Sequence, residues 1–190
     1  IYTDPEIDRA YASLRSWPAI QTAFVLSINA GPRPTDLFTL QRENVQLDAD
    51  RPYVIFEAEK TRKLQSIPLA PVTVAHLRRQ LASVPPDCPD VFPNCSVSDA
   101  VDPERTKTAR KRNRFTKTAF KAVGIEVAKP WQAGRATCNE RLEAFRPGVG
   151  RFVLGHALAL NSLSYRQPDR AIFEAINEIP QPESFLSILN

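Results

Sequence analysis

Along most of the chain apolar residues recur every three or four positions, the period of a helix with one buried face, and most of these runs open on a proline. Thr3-Asp4-Pro5-Glu6 supplies a cap, a proline at the first helical position and an acid in the first turn, so a helix is predicted from there. Ser16-Trp17-Pro18 opens a second helix, whose body AIQTAFVLSINA is apolar enough to be largely buried, and Gly31-Pro32 stops it. Pro34 starts a third, with Leu37 and Leu40 to one side. After Val45 the pattern shortens. Tyr53-Val54-Ile55-Phe56 and Leu64-Gln65-Ser66-Ile67 read as two strands, joined through the polar stretch Glu59 to Lys63 as an antiparallel hairpin. Pro71 begins another helix, with Val74, Leu77 and Leu81 as its buried stripe. Residues 83–103, with five prolines, read as a loop holding Cys88 and Cys95. A helix anchored by Phe115, Ala119 and Phe120 follows and ends at Gly124, and further helices are predicted near 133–144, 149–154, 158–165 and 168–177. The expected class is mainly α with a small antiparallel β-hairpin (α+β), without internal repeats.

Composition narrows this picture. With 190 residues, 43% of them hydrophobic and 24% charged, the chain can bury a full core as one domain over 1–190, which excludes disorder as its ground state. No run approaches the ~20 consecutive apolar residues of a membrane span, and residues 1–30 lack the layout of a signal peptide, so no membrane partner is expected. Three scattered cysteines, no CxxC and two histidines argue against a disulfide framework or a structural zinc, and a reducing, cytoplasmic compartment is the expectation. The absence of Met leads to the expectation that the chain is the C-terminal portion of a longer protein.

Charge is unevenly spread. Residues 105–121 carry eight Lys or Arg and no acid, whereas the remaining 173 residues hold 17 cations against 21 acids and sum to −4. Such a cluster beside a slightly acidic body suits a polyphosphate backbone, and as a bare charge run it is equally a solvated helix face.

Several residues are candidates for chemistry. Arg33, in Ala-Gly-Pro-Arg-Pro-Thr-Asp-Leu, sits at a break between two apolar helices, with Asp36 near enough to orient its guanidinium. Arg135 lies among small residues in Gln132-Ala-Gly-Arg-Ala-Thr, where a ligand or another backbone can approach closely. Lys60 sits at the hairpin, His156 follows Val-Leu-Gly, and Tyr165 stands before Arg166-Gln167-Pro168. Taken singly, each has an ordinary explanation: an Arg–Asp corner, tight helix packing, a solvated lysine, a structural histidine, a packing tyrosine with a wet hydroxyl.

Their order and spacing together are more specific. Gly31-Pro32-Arg33-Pro34-Thr35-Asp36-Leu37, Glu59-Lys60-Thr61 before Ile67-Pro68-Leu69, Gln132-Ala133-Gly134-Arg135, and Leu154-Gly155-His156 with Tyr165 nine positions later resemble the catalytic domain of the tyrosine recombinases, the phage-integrase family. The resemblance spans roughly residues 4–177. The Leu-Gly-His to Tyr spacing is its most specific element and the second arginine box its weakest. Two departures stand out. Gln132 occupies the place of the family's usual His or Lys, and Gly134 that of its usual Leu.

The resemblance implies a site-specific recombinase or integrase that cleaves and rejoins duplex DNA through a 3′-phosphotyrosyl link at Tyr165, with neither metal nor ATP. Arg33, Arg135 and His156 would bind the nonbridging oxygens of the scissile phosphate, Lys60 would protonate the leaving 5′ oxygen, and Asp36 would hold Arg33. Arg110, Lys111, Arg112 and Arg114 would touch flanking phosphates of double-stranded DNA. The implied assembly is a homo-oligomer on DNA, a dimer or tetramer, with residues 169–190 docking on a neighbouring protomer or packing on their own domain. The resemblance also leads to the expectation that the family's upstream DNA-clamping domain lies outside this sequence. The alternative is a weakened relative that binds DNA without completing strand exchange, because Gln132 cannot accept a proton.

Overall fold

The structure, a computed structural model, describes residues 1–58, 63–93, 95, 103–154 and 170–189. Helices α1 (Asp4–Ser13), α2 (Pro18–Asn29) and α3 (Pro34–Phe38) open the chain. A sheet of β1 (Val45–Gln46), β2 (Tyr53–Ala58) and β3 (Lys63–Pro68) follows, and then α4 (Pro71–Ala82), α5 (Pro103–Ala122), α6 (Pro130–Phe145), α7 (Val149–Val153), α8 (Arg170–Glu178) and α9 (Glu183–Leu186). The fold class is as the pattern predicts: mainly helical, with one small antiparallel sheet.

Proline sets the start of most of these helices. It lacks the N–H that a first turn leaves unpaired, and its fixed φ already suits a helix. At α1 the Thr3 hydroxyl and backbone N–H both donate to the Glu6 carboxylate at 2.9 and 2.8 Å, closing a cap that the sequence Thr-Asp-Pro-Glu anticipates.

Helix α2 is the central post, with residues 20–28 all buried. Its Phe24 meets Tyr2, Phe120 and Phe185 edge-on, so the residues before α1, α5 and the C-terminal segment share one aromatic cluster. On its other side α2 crosses α6 closely. A methyl on Gly134 would run into Ser27, its Cβ only 3.1 Å away, so the small residue is what permits the crossing.

The sheet is ordered β1-β2-β3, all antiparallel, with Val54 opposite Ile67 and both facing the core. Strand β1 escapes the sequence pattern because two residues are too short to show an alternation. The α4 stripe is also displaced from expectation. Leu77 is buried, but the fully covered face runs through Thr73, His76, Leu77 and Gln80, while Val74 and Leu81 lie at its margin. Polar residues occupy that face because each finds a partner, as Gln80 does at the Val91 carbonyl, 2.9 Å away. The helix expected at 158–165 falls outside the described residues, and α6 begins at Pro130, one turn earlier than expected.

Residues 170–189 pack on their own domain in this single chain. Phe185 is fully buried against Tyr11 and Phe24, Asn29 donates to the Gln181 side chain at 2.8 Å, and the Ser184 N–H donates to Asp8 at 3.0 Å. No described helix is long and apolar enough to cross a membrane.

Candidate nucleic-acid and phosphate site

The site is built around the corner between α2 and α3. Gly31 carries a φ of +57°, a backbone angle that a side chain disfavours, and a Cβ there would sit 2.7 Å from Leu154 and 3.0 Å from the Cys138 sulfur. Glycine therefore lets the corner close down on α6 and on the end of α7. Pro32 and Pro34 stiffen the residues on either side, and Arg33 caps α3 in an extended conformation.

Arg135, on α6, fits against this corner. Its Nη1 donates to the Gly31 carbonyl and its Nη2 to the Leu154 carbonyl at 2.9 Å. One guanidinium thus joins the α2–α3 corner, α6 and the C-terminal end of α7. A guanidinium has five N–H groups, and among the described residues these two bonds engage two of them.

Arg33 and Asp36 form a loose pair at 3.8 Å, with the arginine side chain 42% exposed and the aspartate 11%. A pair so open is worth little in stability, about 0–1 kcal/mol, and leaves the arginine able to turn toward an anion. The arginine pKa of Arg135 is lowered, first by burial and then by the positive charge of Arg33, while the fields of Cys138 and Asp36 oppose that shift. Two cations that repel each other in a half-dry corner are stabilised by an anion placed between them.

Beneath this corner lies Cys138, fully buried, its thiol pushed up to about 12 by burial and hence a neutral packing group. Gln132 stands one turn before Arg135 and is exposed. The hairpin is tied to the same region, since the Gln65 side chain of β3 donates to the Val153 carbonyl. Neither Cys138 nor Gln65 is distinguishable in the sequence, because only the fold brings them beside the arginines. Lys60, His156 and Tyr165 lie outside the described residues.

Helix α5 divides the basic segment. Arg110, Lys111, Arg114, Lys117 and Lys121 are exposed. Arg110, Arg114, Lys117 and Lys121 recur at helical spacing and form a stripe about 16 Å long, opposite the buried Arg112, Thr116 and Phe120. The expectation that Arg112 touches DNA phosphates is corrected here. Its side chain is only 7% exposed, its guanidinium lies 3.6 Å from the centre of the Phe38 ring, and its Nη1 donates to the Cys95 carbonyl at 2.7 Å. Helical phase decides this: Arg112 shares the inward face with Phe120, which a count of charges cannot reveal.

His76, the other histidine, is buried on α4 between Tyr11, Arg79 and Phe185, far from any candidate role, and burial pulls its pKa down to about 4. Among the described residues no group of His, Cys, Asp and Glu is arranged to hold a metal ion.

Solved structures share this architecture. One is XerA recombinase, with 18% identity over 99% of this chain and a TM-score of 0.62. The fold is that of the tyrosine recombinase catalytic domain. A lambda integrase dimer bound to a COC′ core site is similar at 18% identity over 83% of the chain, with a TM-score of 0.60. The XerH site-specific recombinase in a pre-cleavage complex with its difH substrate is similar at 14% identity over 90%, with a TM-score of 0.61. The chain spans 61%, 57% and 50% of those three recombinase chains respectively. No protein-family model and no curated protein matches the sequence.

Proposed function

We propose that this chain carries the strand-cleaving chemistry of a site-specific DNA recombinase, with Tyr165 as nucleophile. In this reading the Tyr165 phenol oxygen attacks the scissile phosphorus, gives up its proton to solvent water and forms a phosphotyrosyl bond. The P–O5′ bond breaks, and Lys60 delivers a proton to the departing oxygen. Arg33, Arg135 and His156 neutralise the charge that builds on the nonbridging oxygens, and Asp36 keeps Arg33 turned toward them. Energy is conserved in the new ester, so rejoining needs only the reverse attack by a 5′ hydroxyl. The exposed α5 stripe holds flanking phosphates of duplex DNA, and copies of the chain assemble on that DNA as a dimer or tetramer.

The observation that carries this reading is the bonding of Arg135 to both Gly31 and Leu154. It draws three of the sequence segments that make up the resemblance to one corner, where a second arginine waits.

Gln132 favours a second reading, a DNA-binding relative that does not complete the reaction. An amide hydrogen-bonds a phosphoryl oxygen but cannot take the phenol proton. A nicked suicide duplex separates the two. A protein–DNA adduct that disappears in Tyr165→Phe supports the enzyme, whereas tight binding with no adduct supports the binding module. Gln132→His then reports whether proton acceptance limits the rate.

A further inference from the structure

The two arginines stand on different helices, so their separation depends on how α3 and α6 are held. The helices meet through an aromatic pair: Phe38 ends α3 and Trp131 opens α6, with ring centroids 4.9 Å apart and planes at 82°. Arg112 of α5 is inserted beside both rings, its guanidinium carbon 3.6 Å from the Phe38 centroid and 5.9 Å from that of Trp131. Its Nη1 donates to the Cys95 carbonyl at 2.7 Å, and its Nε and Nη2 face Asn113 Oδ1 at 3.4 and 3.3 Å. The same Asn113 oxygen accepts the Trp131 indole N–H at 3.0 Å. One buried cation therefore touches α3 through Phe38, α6 through Trp131, and the segment before α5 through Cys95.

This is an expensive way to fill space. Among the described residues no carboxylate pairs with Arg112, and desolvation drags its pKa down to about 10. An apolar side chain of similar volume would avoid that cost. An arginine alone offers a planar cation that seats on aromatic faces, together with a fork of donors that fixes its own orientation.

Resting on the reading above that Arg33 and Arg135 grip a phosphate, we propose that Arg112 is a positioning residue for that grip, setting the pose of α3 against α6 from behind the site. Trp131 precedes Arg135 by one turn on the same helix face, about 6 Å along the axis, and Phe38 follows Arg33 by about 7.5 Å. A shift between the rings is therefore carried to the guanidiniums, and clamps of this kind lose rate on misplacement of about 1 Å.

The test uses Arg112→Met and Arg112→Lys beside wild type, with Arg110→Ala as the DNA-contact reference. Three quantities are read: single-turnover adduct formation on the nicked duplex at saturating protein, the salt slope of DNA binding, and the part of the thermal upshift by inorganic phosphate that Arg33→Ala abolishes. Arg112→Met is expected to keep the wild-type salt slope while its adduct rate falls about tenfold or more and its phosphate midpoint weakens, with Arg112→Lys in between. An adduct rate and phosphate midpoint within about twofold of wild type overturn the proposal, and so does a salt slope reduced by about one, as for a phosphate contact. If Arg112→Met does not fold, Trp131→Phe, which removes the indole donor to Asn113 and trims the ring beside Phe38 and Arg112, takes its place with the same readouts. Absence of any adduct in wild type counts against the recombinase reading alone, since the phosphate midpoint still decides the positioning role.

Discussion

At the scale of single residues, Arg135 owes its place to two backbone carbonyls, and Lys at that position has only one charged centre with which to reach them. On the proposed function, Arg135→Lys is expected to slow adduct formation by about 10²–10³ at saturating DNA while leaving DNA affinity within a few-fold, because that reading assigns most of the affinity to flanking phosphates. Gly31→Ala forces a side chain into a left-handed backbone angle and against Leu154 and Cys138; a loss of about 2–3 kcal/mol in urea unfolding is expected. His76 gives the fold a pH dependence of its own. Its imidazole takes up a proton near pH 6.5 when unfolded but only near 4 when folded, so acid favours the unfolded state between those values. The stabilisation from its neutral form is complete above about pH 6.5, declines as pH falls, and is gone below about 4, an effect on the order of 3 kcal/mol. Denaturation midpoints measured across that window should fall less steeply for His76→Gln. Nothing in the sequence around His76 signals this, since its partners Tyr11, Arg79 and Phe185 converge from three elements.

Between elements, the decisive contact is the crossing of α2 and α6 at Gly134 and Ser27. Gly134→Ala should cost about 1–3 kcal/mol by overpacking, and Ser27→Gly in the same chain should recover a measurable part of it, a coupling that a double-mutant cycle reads directly. The resemblance makes Gly134 a departure from a family pattern; the crossing gives it a steric reason. Helices were the most legible elements because prolines mark their starts with a mechanism that acts locally. The sheet was legible as a hairpin but not in β1, and α4 was legible as a helix but not in which face it buries, since a polar side chain reads as exposed until its buried partner is known. Likewise the charge of α5 was plain in the sequence and its division into an outer stripe and an inward Arg112 was not.

For the whole molecule, the exposed stripe on α5 predicts a salt dependence. Replacing Arg110, Arg114, Lys117 and Lys121 by Ala should flatten the slope of log affinity against log salt by up to about 3.6, and an unchanged slope would remove the helix from the DNA interface. The C-terminal segment belongs to the domain's own core here, so Phe185→Ala should destabilise the fold by about 3–5 kcal/mol. The overall class was foreseeable from the hydrophobic pattern and the order of the motifs. Side-chain direction was not, because it depends on packing between segments far apart in sequence. The most direct test of the central claim is peptide mapping by mass spectrometry of protein trapped on the nicked duplex. The reading predicts a nucleotide-phosphate mass on the peptide containing Tyr165. A modification on Tyr2, Tyr11 or Tyr53 instead, or no covalent product while DNA is bound, would contradict it.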